Sequence, residues 1–226
     1  MSRPSRSDAP RVAGDADGSA TDASPAWLQV AHRVACTAAE GPHRRYAVWV
    51  QGCALACPGC CNPELFPADG GTRVAVVALA AELAEAREAH AIEGLTVLGG
   101  EPLAQVSGVT ALCVAARACG LGVLVFTGYT LAEVLALPGG PGLLASVDTL
   151  VDGRFEARRP ERGRRFIGSA NQRLVHRSAR YADPALWRGR GGVELRLEPD
   201  GTCSVHGEPA LARRLARALR GEVRGG

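Results

Sequence analysis

Large apolar side chains are almost absent from residues 1–25, a run of Ala, Asp, Ser, Gly and Pro. Such a segment cannot bury enough surface to offset the entropy of ordering, so it predicts a disordered arm. Apolar patterning begins at Trp27-Leu28-Gln29-Val30-Ala31, a candidate first strand. A turn signal follows at Glu40-Gly41-Pro42-His43, and Tyr46 to Val50 is a short, wholly apolar run of the buried-strand type. Val74 to His90 is rich in alanine, with leucines and glutamates at helical spacing, and predicts a helix. A strand at Gly94–Leu98, a helix at Val109–Cys119 capped by Gly120, and a strand at Gly122–Phe126 come next. A helix at Leu131–Leu137 and a strand at Val147–Val151 complete the series.

Strands and helices that alternate with short connections imply right-handed crossovers and a mainly parallel sheet, an α/β fold. The polar and glycine signatures fall at the C-terminal ends of the predicted strands: a cysteine loop, Gly99-Gly100-Glu101-Pro102, Thr127-Gly128-Tyr129 and Asp152. Ligands bind at that edge in parallel α/β folds, so these stretches are expected to converge on one site. Beyond residue 176 the pattern changes. Val193–Leu197 and Thr202–Val205 flank Asp200-Gly201, a hairpin signal, and residues 209–220 carry leucines at 211, 215 and 219 on a short amphipathic helix. The expected organisation is an arm (1–25), an α/β domain (26–176) and a C-terminal extension (177–226).

Composition narrows the function classes. The 226 residues suit one sizeable core, and no stretch approaches the ~20 apolar residues that span a bilayer. No apolar signal-peptide core follows the N-terminus, so the expected location is cytoplasmic, with no membrane partner. The formal charge is +3, and arginine supplies every Lys-or-Arg position, a composition bias that gives arginine clusters little functional weight. Aromatics make up only 4%, too few for the stacking face of a nucleic-acid binder, so no nucleic-acid partner is expected.

Eight cysteines in a chain without an export signal argue for reduced thiols, some of them metal ligands. Three stand in a C-x3-C-x2-C spacing, Cys53, Cys57 and Cys60, directly after the Tyr46–Val50 run. A loop this tight can wrap three thiolates around one face of an iron–sulfur cube and leave one iron open. The alternative is a structural zinc site with His43 or Cys61 as fourth ligand. Cys36, Cys113, Cys119 and Cys203 read as small buried apolar residues. His32, His90 and His176 have no metal-ligand spacing and read as structural or exposed.

Gly41-Pro42, Arg45, Gly52-Cys53, Cys57-Pro58-Gly59-Cys60, Asn62-Pro63, Leu98 to Leu103, Thr127 to Thr130, Leu150 to Phe155 and Gly168 to Gln172 occur in this order. Together they resemble the radical S-adenosylmethionine (SAM) activating enzymes, and most of all the anaerobic ribonucleoside-triphosphate reductase activating family, across roughly residues 28–176. The resemblance implies a partial (β/α) barrel of mainly parallel strands, open on one side, with the hairpin and helix as a small extension. It implies that Cys53, Cys57 and Cys60 hold a [4Fe–4S] cluster whose open iron is chelated by SAM. It implies reductive cleavage of SAM to a 5′-deoxyadenosyl radical, which takes a hydrogen from a backbone glycine of a glycyl-radical enzyme. Gly59, Cys60, Cys61, Gly99, Gly100 and Glu101 then correspond to SAM contacts, with Thr127 and Asp152 as further candidates for SAM or a cation.

The chain departs from the family at Cys61, where Tyr or His is more usual against the adenine, and at His43, which replaces a glycine. The expected partners are an anaerobic ribonucleotide reductase and a small reducing electron-transfer protein. A radical SAM enzyme acting on a peptide or small molecule is the second reading. A non-catalytic iron–sulfur or zinc module is the third.

Overall fold

The computed structural model describes residues 26–197, 201 and 203–219. The expected disordered arm and Asp200 of the hairpin turn lie outside them. Nine strands and five helices follow in chain order: β1 (Trp27–Thr37), β2 (Arg45–Val50), β3 (Thr72–Ala75), α1 (Val76–His90), β4 (Gly94–Gly99), α2 (Val106–Ala118), β5 (Gly122–Phe126), α3 (Leu131–Ala136), α4 (Gly140–Ser146), β6 (Thr149–Asp152), β7 (Arg173–His176), β8 (Val193–Leu197), β9 (Cys203–Gly207) and α5 (Pro209–Leu219).

Seven strands form one open sheet in the order β3-β1-β2-β4-β5-β6-β7. The central four, β2, β4, β5 and β6, run parallel, while β1, β3 and β7 join antiparallel at the flanks. The fold is therefore mixed α/β with a mainly parallel centre, and the sheet does not close. Alternation along the strands decides what each face packs against. Tyr46, Val48 and Val50 of β2, Leu95 and Val97 of β4, and Val123 and Val125 of β5 pack with Leu79 and Leu83 of α1, Leu112 of α2, Val134 of α3 and Leu143 of α4. The residues between them point the other way: Ala47 and Trp49 pack with Val34 and Leu65, and Leu124 packs with Ile167, Tyr181 and Trp187. These helices thus cover one face, while loops, short 3-10 turns and β9 cover the other.

The differences from the sequence reading lie at edges. The helix expected from Val74 starts at Val76, because Val74 and Ala75 pair with Leu28 and Trp27 as the edge strand β3. The first strand runs on to Thr37 as one arm of the β1–β2 hairpin. Tyr181 and Trp187, C-terminal to His176, are buried against the sheet, so the packed core continues beyond residue 176. The β8–β9 hairpin forms at the expected place and stands as its own two-stranded sheet.

Candidate metal centre

The cysteine loop leaves β2 after Val50 and comes back beside its own start at Leu65 and Phe66. Gly52 N–H donates to Leu65 O (3.0 Å) and Cys53 N–H to Phe66 O (3.1 Å), so both ends of the loop are pinned together. Inside it the backbone turns through left-handed positions at Gly52 (φ 92°), Ala56 (φ 40°) and Gly59 (φ 77°). For alanine that conformation costs roughly 1–2 kcal/mol, so the surrounding loop must impose it. Cys60 N–H closes a turn onto Cys57 O (3.1 Å) across Pro58-Gly59. Wound this way, Cys53, Cys57 and Cys60 face one cavity of about 660 Å³. That falls in the range of roughly 300–1,000 Å³ typical of cofactor sites.

Cys61 lines the same cavity. A hydrogen bond with Cys61 is the main reason that the Cys60 thiol is pulled down to about 6, against burial. Burial pushes the Cys53 thiol up. The thiolate is the ligating form, and the Cys61 contact shifts Cys60 toward it.

The second wall is the turn that ends β4. Gly100 N–H donates to Val50 O and Glu101 N–H to Gly52 O (both 2.8 Å), which fastens this turn to the base of the cysteine loop. Two bare glycines make the approach possible. A Cβ on Gly99 (φ +107°) would meet Val50 N at 2.6 Å, and one on Gly100 would overlap the Gly52 carbonyl oxygen. Glu101, 2% exposed, lies behind them. Its Oε1 accepts from Leu103 N–H (2.9 Å) and from the Thr127 hydroxyl (2.7 Å), and its Oε2 accepts from Gly128 N–H (2.9 Å). Burial pushes the Glu101 carboxyl up despite these donors. A carboxylate offers about four acceptor positions, so these bonds leave one free, on Oε2. Thr127, at the end of β5, also lines the cavity.

Two candidates stand elsewhere. Asp152 is fully buried, and its carboxylate accepts from Arg173 Nε (2.9 Å), Arg173 Nη2 and Leu131 N–H (2.7 Å). It ties β6 to β7 and to the start of α3, and only its neighbour Gly153 reaches the cavity. Gly59 is exposed on the outer turn of the loop, where a Cβ would meet Ala157 Cβ at 2.9 Å. His43, the other ligand of the zinc alternative, pairs with Glu93 (3.6 Å) just before β4 begins, at the opposite end of the sheet from the cysteines. Among the described residues no three or more His, Cys, Asp or Glu side chains surround one ion-sized point, as closed zinc coordination requires. Cysteines around a four-iron cube bind different irons and need no such point.

Of the cysteines read as buried apolar residues, only Cys113 is fully enclosed; Cys36 and Cys119 are half-buried. Cys203 is exposed and lines the cavity, because β9 folds over it. Phe126, Phe155 and Phe166 also line it, as do Val205, His206 and Arg217 from the C-terminal hairpin and helix. Phe155 had a signal, lying within the Leu150–Phe155 motif. The C-terminal residues carry no chemical motif and are placed only by docking. None of the eight cysteines is in a disulfide. No described helix is long and apolar enough to cross a membrane.

An open α/β sheet whose parallel strand ends bring three cysteines and a glycine cradle to one cavity presents the class of site that can hold an iron–sulfur cluster. The chain belongs to the 4Fe-4S single cluster domain family, whose model matches residues 39–175. It is 33% identical over 144 residues to the anaerobic ribonucleoside-triphosphate reductase-activating protein of Vibrio cholerae, a match that covers 61% of this chain and 90% of that protein. It is similarly related to the proteins of the same name from Enterobacteria phage T4 (31% over 144 residues, 62% and 88%) and Pasteurella multocida (32% over 146 residues, 62% and 92%).

Proposed function

We propose that this chain is a radical SAM enzyme that installs a glycyl radical on a partner protein, in the first place an anaerobic ribonucleotide reductase. The observation that carries the reading is the joint between the cysteine loop and the Gly99-Gly100-Glu101 turn, made by Val50 O and Gly52 O. It sets thiols that can hold a cluster next to bare backbone and a buried carboxylate, the groups suited to the methionine end of SAM. The names of the relatives supply the target.

In this reading Cys53, Cys57 and Cys60 hold a [4Fe–4S] cluster. Gly99 and Gly100 let SAM approach the backbone, and the spare lone pair of Glu101 Oε2 accepts from its ammonium group. Thr127 holds the Glu101 carboxylate in place, and Cys61 packs beside the ligand with no stacking ring. Asp152 orders the sheet end rather than touching ligand. The bound cluster and SAM together supply one-electron reductive cleavage of a sulfonium carbon–sulfur bond, the source of a hydrogen-abstracting radical. The protein's part is to orient both and exclude water. A small reducing electron-transfer protein supplies the electron, and the open sheet corresponds to a partial barrel.

The test is direct. Anaerobically reconstituted protein given SAM and dithionite is expected to release 5′-deoxyadenosine and, with the reductase present, to give the doublet of a glycyl radical by electron paramagnetic resonance. Cys57→Ala is expected to fall from about four irons per chain to well under one. No deoxyadenosine from fully loaded protein overturns the enzyme reading, and full iron in the variant overturns the ligand assignment.

A further inference from the structure

We propose that the β8–β9 hairpin and α5 form a closing wall over the cluster cavity, docked on the core around Glu40, and that undocking this wall opens the route by which a polypeptide partner reaches the cluster. The inference rests on the functional reading only for the identity of what enters.

The wall lies beyond the residues that match the 4Fe-4S single cluster domain, which end at 175. Among the described residues it shares no strand pairing with the main sheet, yet Cys203, Val205, His206, Ala212 and Arg217 line the cavity that the cluster cysteines face. The side chains that hold it are mostly polar. From β8, Glu194 accepts from the Thr37 hydroxyl (2.8 Å) and Ala38 N–H (2.7 Å), and Arg196 donates to Cys36 O. From β9, Gly207 N–H donates to Glu40 Oε1 (2.8 Å). The His206 ring stacks on His32 (4.9 Å, 5°) and tilts against Trp49 (5.0 Å, 43°). On β8, Leu195 and Leu197 are exposed. A unit attached by a few polar hydrogen bonds and the ring contacts of His206 is the kind of segment that opens without unfolding the domain.

Titration supports the same hinge. Burial, with the nearby Glu194 charge, pushes Glu40 up to about 7 against the Gly207 hydrogen bond. Burial, with His32 and Arg196, pushes His206 down to about 4. Charged groups on the elements packed near Glu40 include Glu194 and Arg196 of β8, Arg33 of β1, Arg45 of β2 beside Gly41, Glu208 after β9 and Arg217 of α5 on the cavity wall. Ionising Glu40 therefore favours opening as pH rises through about 7. Protonating His206 favours opening as pH falls from its ordinary value through about 4.

The experiment uses the full-length, cluster-loaded chain. Two readouts are taken: the rate at which bathophenanthroline disulfonate extracts iron, and amide exchange of β8–β9 corrected for its intrinsic pH dependence. Glu194→Ala is expected to raise both rates by at least about tenfold, the lower bound set by losing two hydrogen bonds to a carboxylate. Exchange of β4 and β5 should not change. Glu40→Gln keeps an acceptor for Gly207 but cannot charge, so it should be more closed than the unaltered chain at pH 8, with the gap narrowing at pH 5. If Glu194→Ala loses protection in β4 and β5 as well, His206→Ala makes the same test from β9. Unchanged extraction and exchange in a folded variant, or a Glu40→Gln gap that does not depend on pH, overturns the proposal. Neither readout requires SAM cleavage. Failure to make deoxyadenosine would remove the enzyme reading and leave the wall standing, and the reverse holds equally.

Discussion

Arg45 has no exposed surface and no carboxylate beside it, yet all five of its N–H donors are used. Nε donates to the Thr96 hydroxyl (2.6 Å), Nη1 to Pro42 O (3.1 Å) and the Tyr181 hydroxyl (2.8 Å), and Nη2 to Leu95 O (2.6 Å) and Gly122 O (3.2 Å). The Tyr181 ring lies 4.9 Å from the guanidinium carbon. Gly94 and Gly41 leave the room, since a Cβ on Gly94 would sit 2.6 Å from the guanidinium and one on Gly41 2.8 Å from Arg45 Cδ. Arg45 thus ties together the starts of β2, β4 and β5, at the end of the sheet away from the cysteines. Replacing it strands buried acceptors and opens a cavity. Arg45→Met is expected to lose about 2–5 kcal/mol in urea unfolding, from buried acceptors left unpaired and the cavity. Arg45→Lys should recover only part of this, because an ammonium has three donors and no planar fork. Arg45 stood out in the sequence only within a family pattern. Its partners lie up to 136 residues away, so its bracing role could not be read there.

At the scale of elements, legibility followed periodicity. The parallel strands and the long helices carry uninterrupted apolar patterns that are visible without a structure. β3 and β7 are four-residue edge strands with two apolar positions each, and α4 begins in Gly140-Pro141-Gly142, which reads as a turn. These depend on pairing and docking rather than local preference. The turn after β4 was legible as chemistry, but its mechanical role was not: it is the part that fixes the height of the cysteine loop. Gly100→Ala tests this. The added Cβ would push against Gly52 O, which also accepts from Glu101 N–H, so the joint itself must shift. Overpacking of this kind costs about 1–3 kcal/mol. The expected result is a modest loss of thermal stability with a much larger loss of iron after reconstitution. Full iron loading with normal melting would show that the joint does not set the ligand geometry.

Over the whole molecule, each end of the parallel sheet carries its own device. One end holds the cysteines, the glycine cradle and the C-terminal wall. The other is fastened by Arg45 and by Asp148, just before β6. Asp148 Oδ2 accepts from Val123 N–H (2.8 Å), and Oδ1 accepts from the Ser178 hydroxyl (2.6 Å) and Arg117 Nη1 (3.1 Å). Its backbone oxygen accepts from Arg177 N–H (2.7 Å). One carboxylate therefore joins the end of α2, the start of β5 and the segment that carries Tyr181 into the core. Burial alone would raise its pKa, but the Ser178, Val123 and Arg117 donors together hold it below the usual carboxylate value. A folded-state pKa below the unfolded one gives stability that is present above the unfolded value and lost as pH falls through the folded one. Asp148→Asn is thus expected to be less stable than the unaltered chain by about 1–2 kcal/mol at pH 7. Urea unfolding at a series of pH values should show this difference shrinking as pH falls below about 4, the unfolded-state value, toward the lower folded-state one. A difference that stays constant down to pH 3 would show that Asp148 fastens this end through shape and neutral hydrogen bonds alone.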